Sequence, residues 1–154
     1  MPAYYLDTSA LVKRYATEAG TLWMTALIDP AGSHTLYTVR LTGPEMVAAL
    51  GRKERTGELT PAEAMGAIAA FRRAWPRRYR IVAVTVAVAE RAMDLAEQHS
   101  LRGYDAVHLA AALAVADVRQ RRGLSVLTFV SADNDQRQAA VAEGLLVEDP
   151  NAHP

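Results

Sequence analysis

A chain of 154 residues with no cysteine and a formal net charge of zero excludes a disulfide scaffold and a thiolate metal centre, and it points to one domain in a reducing cytoplasm. With 51% hydrophobic and 22% charged residues, the composition is that of a globular protein that buries a core without staples. No apolar run approaches the ~20 residues that span a bilayer, Met1–Asp7 meets an acid with no basic segment before it and predicts no signal peptide, and the balanced charge argues mildly against a broad nucleic-acid-binding surface.

Short β-like runs alternate with longer helical ones. Ala3–Leu6 reads as a strand that stops at Asp7, followed by a helical stretch from Leu11 to Tyr15. Thr35–Val39 is rich in β-formers, and Pro44, Met46, Val47 and Leu50 give a helix that starts at Pro44 and ends near Thr56-Gly57. Thr60-Pro61-Ala62-Glu63 is a capping box with proline at the first helical position. The helix it opens runs through Met65, Ile68 and Phe71, and Trp75-Pro76 should stop it. Arg80–Val84 predicts a strand, and Thr85 the cap of a Val88–His99 helix. Gly103 then punctuates before an alanine-rich helix over Asp105–Arg121, closed by Gly123. Ser125–Val130 is a continuous apolar strand, Gln136–Glu143 a last helix, Leu145–Val147 a last strand and Asp149–Pro154 a frayed tail. Residues 1–148 therefore predict a single α/β domain with a mainly parallel sheet covered on both faces. Met46, Leu50, Leu109, Leu113 and Val126 are assigned to its core.

Open parallel sheets build sites beyond the carboxyl ends of their strands, at helix N-termini. Four acids fall there: Asp7 after the first strand, Glu45 in the first turn after Pro44, Asp105 opening the alanine-rich helix, and Asp133 after the central strand. Asp135 stands in reserve for the last of these. Singly, each acid also serves as a cap or a complement to the helix dipole. Together, with no lysine beside them, they repel one another, and a divalent cation relieves that repulsion. Oxygen-only ligation suits Mg²⁺ or Mn²⁺.

Four segments carry a resemblance. Tyr5-Leu6-Asp7-Thr8-Ser9-Ala10-Leu11-Val12-Lys13-Arg14-Tyr15 resembles the opening of PIN domains, in particular toxins of the VapC type. Leu101-Arg102-Gly103-Tyr104-Asp105-Ala106-Val107-His108-Leu109-Ala110-Ala111-Ala112 resembles that family's third-acid segment, and Phe129-Val130-Ser131-Ala132-Asp133 its fourth. Pro44-Glu45-Met46-Val47-Ala48-Ala49-Leu50 fits the second-acid helix, although Gly43-Pro44 departs from the family's usual residues and puts that helix's start in question. The resemblance runs from about residue 4 to residue 148. It implies a three-layer α/β/α sandwich and a Mg²⁺- or Mn²⁺-dependent endoribonuclease. It further implies a toxin whose cognate antitoxin inserts a segment into the active site, and a homodimer. In that scheme Asp7 and Asp105 hold the principal ion, Glu45 and Asp133 complete the ring, and Ser9 supports from behind.

Other residues read more plainly. Phe71–Arg80 interleaves five arginines with three aromatics, a pattern that suits RNA but also a helix end with its rings packed inward, the reading preferred for Trp75 and Tyr79. Lys13, Arg14 and Arg40 stand as phosphate contacts, and Arg119–Arg122 as a complement to the helix's negative end. His108, embedded among Val107, Leu109 and Ala110, reads as a packed, hydrogen-bonded histidine. A phosphoacceptor receiver domain is excluded, because no lysine ends the fifth strand and the third ends Ala83-Val84-Thr85. A PIN-like binding module without catalysis, and a phosphoesterase of small molecules, remain as rivals.

Overall fold

In the computed structural model, which describes residues 1–154, the end of the first strand decides the layout. β1 (Ala3–Leu6) is followed at once by α1 (Thr8–Tyr15), because the Asp7 side chain accepts the Ala10 N–H at 3.1 Å and caps the helix. An aspartate N-cap satisfies a donor that the helix itself leaves unpaired, so α1 begins at Thr8 and not at Leu11. α2 (Thr21–Ile28), β2 (Thr35–Val39), α3 (Thr42–Arg55), α4 (Pro61–Arg78), β3 (Arg80–Val82), α5 (Val86–His99), α6 (Gly103–Arg121), β4 (Leu127–Val130), α7 (Asn134–Ala142) and β5 (Leu146–Glu148) follow.

The five strands lie in the order β3-β2-β1-β4-β5, and every neighbouring pair is parallel. β1 is central, with β2 on one side and on the other β4, the strand that its continuous apolar run predicts at the centre. The direction of winding therefore reverses at β1, and the carboxyl ends of β1 and β4 form the topological switch point where such sheets open a crevice. Alternation along β1 sends Tyr5 into a core with Leu109, Phe129 and the α5 and α6 helices. It sends Leu6 into a second core with Leu11, Met46, Leu50 and Phe71. Both faces are covered, and the expected α/β/α sandwich is present. No helix is long and apolar enough to cross a membrane.

Several boundaries differ from the sequence expectation for tertiary reasons. α3 starts at Thr42, ahead of Pro44. Thr38 donates to the Leu6 carbonyl at 2.8 Å and shares a 2.7 Å hydrogen bond with Thr42, which ties the helix start to β1 and β2. Pro44 lies within the first turn, where the missing N–H has no intrahelical acceptor. α4 passes through Pro76 instead of stopping there; its last turn is held from outside, by Arg78 donating to the Ile28 carbonyl and by Trp75 packing over Gly43 of α3. α6 takes in Gly103, so this glycine opens the helix and does not interrupt it. Val126, expected in the core, is 69% exposed, because pairing of β4 with β1 begins only at Leu127.

The C-terminal segment is docked, not frayed. Pro150–Ala152 form a 3₁₀ turn with Pro150 buried, Asp149 pairs with Arg137 at 3.2 Å, and the His153 ring stacks on Trp23 at 4.3 Å. Gly20 makes the close approach possible: its φ is +88°, and a Cβ there would stand 2.4 Å from the Pro150 carbonyl oxygen. Gly20→Ala is expected to destabilise the fold by more than about 1 kcal/mol, read as a lower urea midpoint. An unchanged midpoint would show that the tail does not contribute to the fold.

Candidate active site

The switch point supplies the first carboxylate. Asp7 is only 3% exposed, and the elements around it are arranged to hold it. Its Oδ1 accepts Ser9 Oγ at 2.7 Å and the Ala10 N–H at 3.1 Å, and its Oδ2 accepts Ser131 Oγ at 3.0 Å. Burial pushes the Asp7 carboxyl above its ordinary range, with His108 and these donors pulling it part of the way back. Ser131 Oγ also takes the Asp133 N–H at 3.0 Å and lies 2.9 Å from Gln136 Oε1, so its one proton is shared between Gln136 and Asp7, and Gln136 donates to the Asp105 carbonyl at 3.2 Å. One buried serine and one buried glutamine thus tie the ends of β1 and β4 to the start of α6.

Glu45 is held in the first turn of α3. Its Oε1 accepts Thr8 Oγ1 at 2.8 Å and His108 Nε2 at 2.6 Å. Burial alone would raise its pKa, but the His108 hydrogen bond and charge, with the Thr8 hydroxyl, outweigh it and hold the carboxyl below its usual range. His108 is 1% exposed and hydrogen-bonded, as its sequence context suggests. Its partners are Glu45 and, through Nδ1 at 3.0 Å, the Tyr5 hydroxyl. The available signal was spacing: His108 follows Asp105 by three residues and therefore shares its face of α6.

Asp133 caps α7, accepting the Gln136 N–H at 2.9 Å, and Asp105 lies in the first turn of α6. Arg102 Nε stands 3.1 Å from Asp105 Oδ2, and its Nη2 3.6 Å from Asp133 Oδ2. Asp7, Glu45, Asp105 and Asp133 all line one cavity of about 600 Å³. Asp135 does not; it borders a separate hollow with His99 and Gln138. The cavity is not purely acidic. Arg102 stands among the carboxylates, and Lys13, paired with Glu18 at 3.4 Å, lies on the wall beyond them.

Of the other basic candidates, Arg14 borders a different hollow with Arg77 and Arg78, and Arg40 another with Pro44. Tyr79 is buried, as is Phe71, and Trp75 is half-buried against the same core, so the aromatics of the arginine-rich segment pack inward, Trp75 only in part. Arg119 donates to the Ser125 carbonyl at 2.9 Å and to the Tyr37 hydroxyl at 3.0 Å, and so anchors the far end of α6.

The donor chemistry of the cavity fits a hard divalent cation: every acid offers oxygen, and Glu45 Oε2 and Asp105 Oδ1 take no hydrogen bond from the protein. No three His, Asp or Glu side chains converge into a finished cage. Arg102 draws on Asp105 and Asp133, while His108 draws on Glu45.

This combination of fold and site has a family. The PIN domain family matches residues 4–142, and the chain belongs to it. It is 43% identical over 117 residues to ribonuclease VapC45 of Mycobacterium tuberculosis (strain CDC 1551 / Oshkosh), an alignment covering 76% of this chain and 79% of that one. Its fold is similar to the M. tuberculosis toxin VapC20, described as cleaving the sarcin–ricin loop, with a TM-score of 0.61 and 20% identity over 98% of this chain and 99% of that one. It is also similar to a toxin–antitoxin complex from Klebsiella pneumoniae, with a TM-score of 0.60 and 16% identity over 96% and 97% of the two chains. At such identities the two structures speak for the fold alone.

Proposed function

We propose that this chain is an endoribonuclease that hydrolyses RNA phosphodiester bonds with Mg²⁺ or Mn²⁺ held by Asp7, Glu45, Asp105 and Asp133, and that it acts as the toxin of a toxin–antitoxin pair. The observation that carries this reading is the gathering of four carboxylates, from four separate segments, in one cavity at the switch point. Capping alone does not ask that acids from four separate segments line the same cavity. The 43% identity to a named ribonuclease supports the reaction class. With all four acids present, nothing favours an inactive binding module.

A divalent ion at this position supplies a Lewis acid to the phosphodiester and offsets the charge that develops in the transition state. The chain's own residues do the rest. Asp7 and Asp105 bind the ion. Ser9, Ser131 and the Ala10 N–H fix both oxygens of Asp7, and such supporting bonds hold a ligand in its working orientation. Glu45, kept ionised by His108 and Thr8, orients the attacking water or accepts its proton. Asp133 completes the ring. Lys13, buried and paired with Glu18 on the wall beyond the acids, adds positive charge toward which an RNA backbone is drawn. A cognate antitoxin that reaches into the cavity, and a homodimer, belong to the same reading; the Klebsiella neighbour is a toxin–antitoxin complex.

Purified protein incubated with total cellular RNA is expected to yield discrete fragments with Mg²⁺ or Mn²⁺ and none with EDTA, with cleavage restored by excess metal. Metal-dependent thermal stabilisation with intact RNA would refute the ribonuclease reading. Hydrolysis of a nucleotide ester alone would point to a small-molecule phosphoesterase.

A further inference from the structure

Arg102 occupies the N-cap position of α6, yet its side chain caps nothing. Its side chain is 82% exposed and reaches back across the cavity mouth to Asp105 and Asp133. An ion pair this exposed is screened by solvent and adds little to stability, so the fold does not depend on it. What it does is place a cation between two of the four carboxylates. Two residues on, Tyr104 lines the same cavity and is 63% exposed. It takes no part in the ring pairs that fix Tyr5, Tyr15 and Tyr79.

Resting on the nuclease reading, we propose that Arg102 is an internal counter-cation that a divalent ion displaces from Asp105 and Asp133, and that the displaced guanidinium, with the Tyr104 ring, forms the subsite for the nucleotide beside the cleaved bond. A guanidinium and a divalent ion repel each other, and the same carboxylates cannot hold both at full strength. Arg102 pairs with no acceptor other than these two carboxylates. A phosphate at the cavity mouth offers the planar fork the bidentate partner it suits. An unpartnered tyrosine beside it gives a base a face on which to stack. Loading the acids thereby prepares the protein for RNA, and Arg102 acts with opposite sign on the two ligands: it opposes the metal and favours the nucleic acid. A merely structural ion pair has no such double effect.

The test uses the full chain and two titrations: Mn²⁺ followed by calorimetry without RNA, and a fluorescein-labelled short single-stranded RNA followed by anisotropy in Ca²⁺, with the RNA checked for integrity afterwards. Arg102→Ala is expected to bind Mn²⁺ more tightly, by up to about fivefold, and RNA about tenfold more weakly. Tyr104→Ala is expected to leave Mn²⁺ binding unchanged and to weaken RNA binding at least about fivefold, with Tyr104→Trp restoring it. Mn²⁺ affinity that is unchanged or weaker in Arg102→Ala overturns the inference, as does wild-type RNA affinity in either alanine variant. A wild-type protein that binds Mn²⁺ and no RNA overturns the nuclease reading together with this one, whereas unaltered variants of an RNA-binding protein overturn this one alone.

Discussion

Asp7→Asn is expected to remove RNA cleavage and, in metal-free protein at neutral pH, to raise the melting temperature. The first effect follows from position: loss of a residue that merely supports a metal ligand costs about 10–100-fold, so loss of the most buried carboxylate in the cavity should exceed about 100-fold. The second follows from burial, which raises the folded-state pKa of Asp7 above its unfolded value. A group so shifted contributes stability that is fully present below the unfolded pKa and is lost as pH rises through the folded pKa. At neutral pH the ionised Asp7 is therefore a net cost to the metal-free fold. Asparagine removes the charge while keeping an oxygen for Ser9 and Ala10, and its amide can donate to Ser131. The gain should be about 2–4 °C for each kcal/mol relieved, and it should shrink as the pH falls and Asp7 takes up its proton. Scanning fluorimetry in EDTA across this pH range measures it. A variant less stable at neutral pH would mean that the Ser9 and Ser131 hydrogen bonds outweigh the burial of the charge.

His108→Ala is expected to lower both stability and cleavage. The histidine is buried between the Tyr5 hydroxyl and Glu45, and its removal strands the tyrosine hydroxyl beside a new cavity. An unsatisfied buried polar group costs about 1–3 kcal/mol, before the cavity adds its share. Glu45 loses the contact that most lowers its pKa, and cleavage should fall about 10–100-fold when assayed well below the variant's melting temperature. His108→Gln separates the two roles, since its amide can donate to Glu45 and its carbonyl can accept from Tyr5. Recovery of most of the cleavage by glutamine supports a positioning role for His108. A glutamine variant as impaired as the alanine one, yet equally stable as the wild type, would contradict it.

The acids were legible because chemistry and topology agree about them. In an alternating β/α pattern the carboxyl ends of strands are predictable, and acids placed there stand out against an apolar run. β2 and the Thr60–Glu63 capping box were legible for similar local reasons. What remained hidden depends on segments far apart in the chain. Ser131 and Gln136 carry no charge to draw notice, and they become anchors only when β4 lies beside β1. The docking of His153 on Trp23 is written in no local pattern, and neither is the continuation of α4 past Pro76, which rests on contacts with Ile28 and Gly43. Arg102 was visible three residues before Asp105, but only its exposed reach to a second acid, Asp133, shows it as the cation among the carboxylates. His108 was rightly placed in the core, but its hydrogen bond to Glu45 could not be read from neighbours that are all apolar.

The most direct measurement is single-turnover cleavage of one RNA in Mn²⁺ by five purified variants: Asp7→Asn, Glu45→Gln, Asp105→Asn, Asp133→Asn and Asp135→Asn. Four carboxylates that share one cavity should behave as one site. The first four variants are then expected to lose cleavage by about 100-fold or more while staying folded, and Asp135→Asn, which borders a different hollow, to cut like the wild type. Near-wild-type cleavage by any of the first four, or its loss in Asp135→Asn, would contradict the assignment.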